Sequence, residues 1–372
     1  MSAILEIFRR IDKILILLPL AFAIISIGMI SSITATAADP IGKQVITQTV
    51  AYALGFGLLV AVVAFDYKRL LPFKWVLYGM AILIQLTVYI PGLGVEMYGS
   101  RAWIDIFGIT TVQPSEIVKV FYILCLAIYL TEKKKDLATF KGFLLCFAYA
   151  LPIIGIVAVE DMGAGIVMMF IFVGMVFAAG MSAGLFLRLA ALFIISVPVL
   201  YRFMAPHQKE RFSAFLHPEN LSIDATYQVF QSKVAIGSGG FFGKGFRDGV
   251  IKQSGLIPVQ ESDFIFPIIC EEFGMLGGVI VIALYALLIL RIWRTVARST
   301  EIFGALICVG FMCLFGFQLF ENIGMTMGVM PVTGITLPFL SAGGSSILAN
   351  MLGLGLVIGV GMRDTSKQVR YL

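Results

Sequence analysis

The sequence predicts an all-α polytopic membrane protein with about ten transmembrane helices, folded as a single membrane domain over residues 1–372. Hydrophobic residues make up 59% of the chain and charged residues 13%, whereas soluble domains carry about a quarter charged residues. A chain this apolar cannot cover a water-facing surface, so lipid must surround most of it. The spacing of the apolar runs and the placement of Lys and Arg predict the same class.

Ten apolar runs are candidates for spanning helices, each of which needs about 20 mainly apolar residues. They cover residues 14–32, 47–65, 75–91, 115–130, 142–159, 162–180, 184–204, 263–290, 302–325 and 345–362. The fourth run is short and carries charges. The fifth and sixth runs meet at Val159, Glu160 and Asp161, which predicts a tight hairpin there.

The Lys and Arg residues predict the orientation of the chain, because cytoplasmic loops of membrane proteins carry an excess of them. Clusters at 9–13, 68–74, 133–141, 291–298 and 363–370 alternate with short connections that hold few cations. With an even number of spans, both termini are therefore predicted to be cytoplasmic. The net charge of +5 is distributed over these short clusters, so we predict no nucleic-acid partner.

The one long polar segment, residues 205–262, joins the seventh and eighth spans on the side opposite the termini. Long connections of this kind are either functional or disordered, and the Tyr, Phe and Leu content of this one predicts an ordered extracytoplasmic loop. Its glycine run, Gly237–Gly245, departs from the P-loop pattern that binds nucleotide phosphates. The backbone N–H groups of the run, beside Lys244, either hold a pyrophosphate or form a plain turn.

Charged residues inside apolar runs mark candidate functional sites, since a charge within a membrane is costly. Glu116 and Lys119 lie three residues apart on the fourth span, so they share one helix face. They form either a self-neutralised pair or one wall of a polar cavity that takes a charged substrate. Glu271 and Glu272 lie about 12 Å beyond Asp263 along the eighth span. We expect at least one of them to pair with a cation, for which Lys119 is a candidate.

Asp263 stands where the long loop meets the eighth span, half in water and half against apolar walls. Partial burial raises the pKa of a carboxyl group and makes it a better proton acceptor near neutral pH. Ser262 and Asp263 are also good helix N-caps, and capping and catalysis do not exclude each other. Glu321 and Asn322, in the ninth span, are interpreted as helix-packing hydrogen-bonding residues.

Several stretches of the chain resemble the SEDS family (shape, elongation, division and sporulation proteins) and follow the order that the family has. These stretches are Gly99–Ile104, Gln113–Lys119, Tyr227–Gly245, Ser262–Gly274, Pro331–Gly334 and Leu337–Ser346. The ten-span arrangement also fits the family. Between residues 321 and 334 the sequence is more similar to the elongation members of the family than to the division members.

The resemblance implies a peptidoglycan glycosyltransferase, which joins lipid II disaccharide units into glycan strands and releases undecaprenyl pyrophosphate. It implies Asp263 as the catalytic residue. The residues expected to bind substrate are Arg101, Glu116, Lys119, Asp161, Arg211, Gln228, Gln231, Ser232, Lys244, Glu271 and Glu272. Cations among them would offset the charge of the leaving pyrophosphate, alone or with a divalent cation such as Mg or Mn. No residue is assigned as a metal ligand, and no organic cofactor is expected.

The resemblance also implies where the protein works and with what. It places the chain in the bacterial inner membrane, in contact with membrane lipids and the undecaprenyl carrier, with its active site on the extracytoplasmic side. A class B penicillin-binding protein would supply transpeptidation. The alternatives are a division-type polymerase, a flippase for the lipid-linked precursor and a non-catalytic scaffold. The sequence has no internal repeat of fixed period, which weighs against an inverted-repeat transporter.

Overall fold

The computed structural model describes residues 11–34, 42–97, 100–106, 110–133, 137, 139–203 and 206–368. In chain order its helices are α1 (Lys13–Thr34), α2 (Lys43–Ala64), α3 (Lys74–Leu86), α4 (Pro114–Lys133), α5 (Phe140–Glu160), α6 (Met162–Ala178), α7 (Ala183–Phe203), α8 (Pro206–Leu216), α9 (Asp224–Ser238), α10 (Val250–Ser254), α11 (Ile265–Arg298), α12 (Ile302–Met327) and α13 (Gly344–Gln368). Short 3-10 turns at Tyr67–Phe73 and Thr87–Tyr89 extend α3 at both ends.

The polytopic helical architecture is confirmed. Among the described residues, eight helices are long and apolar enough to cross a membrane, and α6 is a shorter apolar helix of 17 residues. Helix α7 occupies the predicted seventh span. Helices α1 to α7 and α11 to α13 therefore correspond to the ten predicted runs.

Helices α4 and α13 form the centre of the bundle. Each buries 78% of its spanning window, whereas α2 buries 28% and α3, with its flanking turns, 22%. Close approach of α13 to α2 depends on Gly355, where a Cβ atom would lie 3.1 Å from the Leu59 carbonyl oxygen. Because α4 is central, Glu116 and Lys119 on it face protein and not lipid.

A small antiparallel sheet joins α3 to α4 and was not predicted from the sequence. Its strands are β1 (Gly94–Met97), β2 (Ser100–Ile106) and β3 (Thr110–Val112), in the order β1-β2-β3. Val95 pairs with Trp103, and Asp105 pairs with Thr111. The sheet leads directly into α4, which begins at Pro114.

The long loop, residues 206–262 of the described chain, is largely helical. Helix α8 follows α7 closely, and α9 packs against both α11 and α12. The Ser232 hydroxyl on α9 donates to the Thr326 carbonyl oxygen at 2.7 Å. The prediction of an ordered segment between the seventh and eighth spans is therefore confirmed.

Helix α11 is broken at Gly274, whose φ of 67° and ψ of −165° are far from helical values. A break within a membrane helix frees backbone groups that the protein itself must satisfy. The glycine run hydrogen-bonds to the backbone groups that precede the break and to those that follow it. Lys244 and Gly245 donate their N–H groups to the carbonyl oxygens of Glu271 and Glu272, each at 3.0 Å. Met275 donates its N–H to the Gly240 carbonyl oxygen at 2.9 Å.

This close backbone contact explains why the run is rich in glycine. A Cβ atom at Gly243 would lie 2.1 Å from the Glu272 carbonyl oxygen, and one at Gly239 would lie 1.9 Å from the Cys270 carbonyl oxygen. The N–H groups of Gly243, Lys244 and Gly245 all have backbone acceptors. Of the two interpretations given above, the structure supports a turn that packs against α11 and contradicts a pyrophosphate cradle of backbone N–H groups.

Candidate active site

Asp263 lies at the junction of the long loop and α11, as predicted. The helix N-cap is Phe264, which forms no side-chain capping bond, so the predicted capping role of Ser262 or Asp263 is wrong. The Ser262 hydroxyl instead donates a hydrogen bond to Asp263 Oδ1 at 2.8 Å. Asp263 is partly exposed and Phe264 is buried, so the carboxyl group lies at the edge of the core.

Asn322 on α12 fixes the backbone of Asp263. Its Nδ2 donates to the Asp263 carbonyl oxygen at 2.9 Å and to the Ile335 carbonyl oxygen at 2.8 Å. The neighbouring Glu321 accepts a hydrogen bond from Thr333 Oγ1 at 3.0 Å. The two side chains hold the stretch 333–335 against Asp263, which agrees with the packing role that the sequence indicated and adds a positioning role for Asn322.

The side chains of Asp263 and Arg211 both lie close to Gly334. A Cβ atom at Gly334 would lie 3.4 Å from Asp263 Oδ2 and 3.6 Å from Arg211 Nη1. Arg211 is held there because its Nη1 donates to the Thr333 carbonyl oxygen at 3.0 Å. The absence of a side chain at Gly334 thus leaves a small space that both a carboxylate and a guanidinium border.

The surroundings of Asp263 suit a proton acceptor. Burial is the main cause that raises the pKa of its carboxyl group, and the charges of Asp161 and Glu261 raise it further. The hydrogen bond from Ser262 and the charge of Arg211 act in the opposite direction and lower it. A carboxylate with a raised pKa takes up a proton more readily.

Asp161 lies in the tight hairpin between α5 and α6. Its Oδ1 accepts the Ala164 N–H at 2.8 Å and so caps α6. Its Oδ2 accepts hydrogen bonds from Gln113 Nε2 at 2.7 Å and from Ser115 Oγ at 3.3 Å. Burial raises the pKa of this carboxyl group, while the Ala164 N–H and the charge of Lys119 lower it.

Glu116 and Lys119 form a buried ion pair, with Lys119 Nζ 2.7 Å from Glu116 Oε1. The pair also borders a narrow cavity that is partly open to solvent. We call this space the central cavity; its polar lining residues include Gln113, Glu116, Lys119, Asp161 and Gln318, and Gly334 also lines it. The pair is therefore self-neutralised and also forms part of a cavity wall, and its predicted role in binding a charged substrate stays a prediction.

Gln318 is a cavity residue that the sequence analysis missed. Its side chain is buried, and its Oε1 has no hydrogen-bond partner among the described residues. A polar amide in the middle of the apolar run of α12 was the available signal. Because Gly334 lines the cavity and also borders Asp263 and Arg211, the cavity leads to the predicted catalytic residue.

Arg101 lies on β2, at the side of the same region. Its backbone N–H donates to Glu160 Oε2 at 3.2 Å, directly beside Asp161 in sequence. Its Nε would lie 3.0 Å from a Cβ atom at Gly94, so the guanidinium packs along β1. Arg101 does not line the central cavity, and its predicted role in substrate binding stays a prediction.

The three predicted substrate-binding residues on α9 lie apart from the central cavity. Gln231 and Ser232 are buried, and Ser232 binds the Thr326 carbonyl oxygen on α12. Gln228 is partly exposed on the same helix. The contacts of Ser232 hold α9 against the bundle, and no contact of these residues with Asp263 is observed within the described chain.

Glu271 and Glu272 both pair with cations, but not with Lys119. Glu271 Oε1 lies 2.9 Å from Lys244 Nζ, and Glu272 Oε1 lies 2.8 Å from Lys252 Nζ. Both carboxylates are fully buried. Glu271 also accepts the Ile251 N–H at 2.9 Å. The candidate pairing with Lys119 is therefore wrong, and these residues bind the segment 244–252 to α11.

The predicted divalent cation stays a prediction. Within the part of the chain that the structure describes, no group of three His, Cys, Asp or Glu side chains is arranged to hold a metal ion. Asp263 and Asp161 lie near different partners, Ser262 for one and Gln113 for the other.

The fold and the site define a polytopic membrane enzyme with one carboxylate beside a guanidinium at the end of a polar cavity. Over residues 10–366 the chain matches the family model of FtsW, RodA and SpoVE, described as a cell cycle protein. It belongs to this family, which is the SEDS family that the motifs indicated.

Relatives with known names agree with this assignment. The chain is 36% identical to the probable peptidoglycan glycosyltransferase FtsW of Nitrosomonas europaea, over 80% of this chain and 79% of that protein. It is 33% identical to the peptidoglycan glycosyltransferase MrdB of Escherichia coli K12, over 82% and 83% of the two chains. The prediction of a SEDS-type glycosyltransferase is thereby confirmed.

A solved structure has the same fold. It comes from work on the structural coordination of polymerization and crosslinking by a peptidoglycan synthase complex. The matched chain is 30% identical, with a TM-score of 0.80, over 95% of this chain and 98% of that one.

Proposed function

We propose that this chain polymerises lipid II into glycan strands and releases undecaprenyl pyrophosphate. The observation that carries the proposal is that Asp263 and Arg211 both lie close to Gly334, which also lines the central cavity. A carboxylate that accepts a proton and a cation that receives a leaving anion are the two groups that glycosyl transfer from a pyrophosphate requires.

In the proposed reaction Asp263 acts as the general base. Its carboxylate takes the proton of the 4-hydroxyl group on the acceptor sugar, and the freed oxygen forms a bond to the anomeric carbon of the donor. The bond between that carbon and the phosphate oxygen breaks, and the pyrophosphate leaves with the electron pair. Arg211 offsets the charge that develops on the leaving group. Asp263 then returns its proton to water.

The central cavity supplies the binding site for a charged, hydroxyl-rich headgroup. Lys119 and Glu116 provide a cation and an anion on one wall, and Asp161 and Gln318 provide acceptors. The unsatisfied Oε1 of Gln318 is available to a donor hydroxyl or amide of the sugar. We propose that the headgroup of one lipid II molecule binds here, next to Asp263.

We further propose an elongation role, with the active site on the extracytoplasmic face of the inner membrane and both termini in the cytoplasm. The stretch 321–334 supports elongation, although relatives named FtsW and MrdB are similar to nearly the same degree. A class B penicillin-binding protein is the proposed partner, because the similar solved chain comes from a complex that couples polymerization to crosslinking.

The sidedness is tested by cysteine labelling in intact cells. Asp248→Cys, in the exposed part of the long loop, should react with a membrane-impermeant maleimide. Glu132→Cys, at the far end of α4, should react only after the cells are permeabilised. The reverse pattern would contradict the proposed orientation.

The activity is tested with purified protein in detergent, supplied with labelled lipid II with and without the partner. Polymer should form without any membrane to cross, and the partner should increase its yield. Movement of lipid II across a vesicle membrane without polymer would instead indicate a transporter.

Chelation of divalent cations with EDTA in the same polymerisation assay tests the Mg or Mn prediction. Loss of activity that added Mg restores would support it.

A further inference from the structure

Arg211 also lines a second pocket. It is bordered by α8, α9 and the chain that follows α12, and it is partly open to solvent. Most of its lining is apolar, and Phe215, Phe230 and Met330 are examples. Its polar lining residues are Arg211, Thr226 and Lys233. We call this space the side pocket.

One polar group of the side pocket is buried without a protein partner, while its two cations, Arg211 and Lys233, are exposed. Thr226 is 4% exposed, and its hydroxyl has no hydrogen-bond partner among the described residues. A buried hydroxyl group is normally hydrogen-bonded. Arg211 uses Nη1 for the Thr333 carbonyl oxygen, which leaves further donors of its guanidinium available.

Lys233 is a cation without an acidic partner in the described chain, where the ion pairs involve other residues. Its ammonium group lies at the C-terminus of α12, because Gly328 leaves room for it. A Cβ atom at Gly328 would lie 2.5 Å from Lys233 Nζ. The side pocket therefore combines two cations and one buried hydroxyl group, and none of the described residues that line it is acidic.

The apolar walls indicate what kind of anion fits. Phe230 and Phe215 remain 46% and 36% exposed at the pocket, and both belong to helices that pack at the end of a membrane bundle. An anion with a hydrocarbon chain matches this lining, since its charged head would meet Arg211 and Lys233 while its chain follows the apolar wall. A soluble anion would leave the apolar walls in contact with water.

We propose that the side pocket binds the pyrophosphate and the first isoprenoid units of a polyprenyl pyrophosphate, the leaving group of the reaction. This inference rests on the proposed function. Arg211 borders both the space at Asp263 and the side pocket, so the departing pyrophosphate stays on one guanidinium as it moves away from the acceptor. Lys233 and Thr226 supply the second set of contacts.

The test measures binding and not turnover. The full chain is placed in nanodiscs of phosphatidylcholine and titrated with undecaprenyl pyrophosphate, undecaprenol or phosphatidylglycerol. Lys233→Gln should weaken binding of undecaprenyl pyrophosphate about tenfold, and Thr226→Val should weaken it severalfold. Lys43→Gln removes an exposed cation at the start of α2, outside the side pocket, and should leave affinity unchanged. Undecaprenol and phosphatidylglycerol should bind weakly to all of these proteins.

Equal affinity of wild type and Lys233→Gln for undecaprenyl pyrophosphate would overturn the inference, and so would equally tight binding of phosphatidylglycerol. Thermal melting of each variant shows whether it is folded, and Lys233→Arg, which keeps the charge, should bind within about threefold of wild type. Failure of this inference is distinct from failure of the proposed function. If the protein polymerises lipid II but Lys233→Gln binds undecaprenyl pyrophosphate as tightly as wild type, only this inference is contradicted.

Discussion

At the scale of single residues, burial and the charge of Arg211 have opposed effects on the pKa of Asp263, and a pH profile of activity reports their balance. Burial raises the pKa of the Asp263 carboxyl group, and the charge of Arg211 lowers it. The proposed base is active only as a carboxylate. Activity should therefore fall as the pH drops through the raised pKa, and the position of this acid limb reports on the neighbours of Asp263.

Removal of the guanidinium should move the acid limb. In Arg211→Gln the pKa-lowering charge is lost, so the pKa of Asp263 rises and the acid limb of polymerisation rate against pH shifts to higher pH. We also expect the maximal rate to fall by a factor of about 100 because a charge opposite the leaving group is lost. Lys209→Gln, on the same helix, is the control. An unshifted limb in Arg211→Gln would show that Arg211 does not act on Asp263.

The sequence singled out Asp263 because a carboxyl group at the edge of an apolar run is conspicuous, and the resemblance to the SEDS family implied its catalytic role. Its orientation by Asn322 and its approach to Arg211 could not be read from the sequence. The hydrogen bond from Asn322 to Asp263 joins residues 59 positions apart, and the one from Arg211 to Thr333 joins residues 122 positions apart. Only the folded chain brings such positions together.

At the scale of elements, the break in α11 connects the long loop to the bundle. Apolar residues continue on both sides of Glu271, Glu272 and Gly274, which is why the sequence predicted one continuous span. Local pattern also missed the sheet of β1 to β3, since its strands are short and lie between two apolar helices. Both features lie at the ends or breaks of helices, where backbone hydrogen bonding and not hydrophobic periodicity decides the structure.

The glycine contact at the break makes a stability prediction. Gly243→Ala places a Cβ atom 2.1 Å from the Glu272 carbonyl oxygen at a φ of +84°. It should destabilise the protein by about 2 kcal/mol or more, from overpacking and backbone strain. Gly237→Ala, in the same run but with open space around the new methyl group, should melt within a degree or two of wild type. Equal melting of both variants in detergent would contradict the close contact.

The Lys252–Glu272 pair makes a second prediction at this scale. Lys252→Met leaves a buried carboxylate unpaired, which costs about 3–5 kcal/mol. Lys252→Met with Glu272→Leu removes both charges and should recover most of that loss, because two apolar residues can replace a buried ion pair at little cost. Denaturation of both variants gives the comparison. A double variant that is stable but binds lipid II far more weakly than wild type would assign Glu272 to substrate binding.

At the scale of the whole molecule, composition and the spacing of apolar runs predicted the polytopic bundle, because a lipid solvent permits few architectures. Of the predicted site residues, five gather around the central cavity and Gly334: Glu116, Lys119, Asp161, Arg211 and Asp263. Glu271, Glu272 and Lys244 instead bind the loop to α11. Sequence reasoning could not separate the two groups, since a costly buried charge marks catalytic and architectural ion pairs alike.

The central claim is that Asp263 removes the proton of the acceptor hydroxyl, and Asp263→Asn tests it most directly. This change keeps the shape of the side chain and abolishes its basicity. The measurement is polymerisation of labelled lipid II by the purified variant, with lipid II affinity determined on the same sample and exposed Asp248→Asn as the control. The account predicts affinity within about twofold of wild type and a polymerisation rate lower by a factor of about 100 to 10,000. Glycan synthesis by Asp263→Asn within a few-fold of the wild-type rate would contradict it.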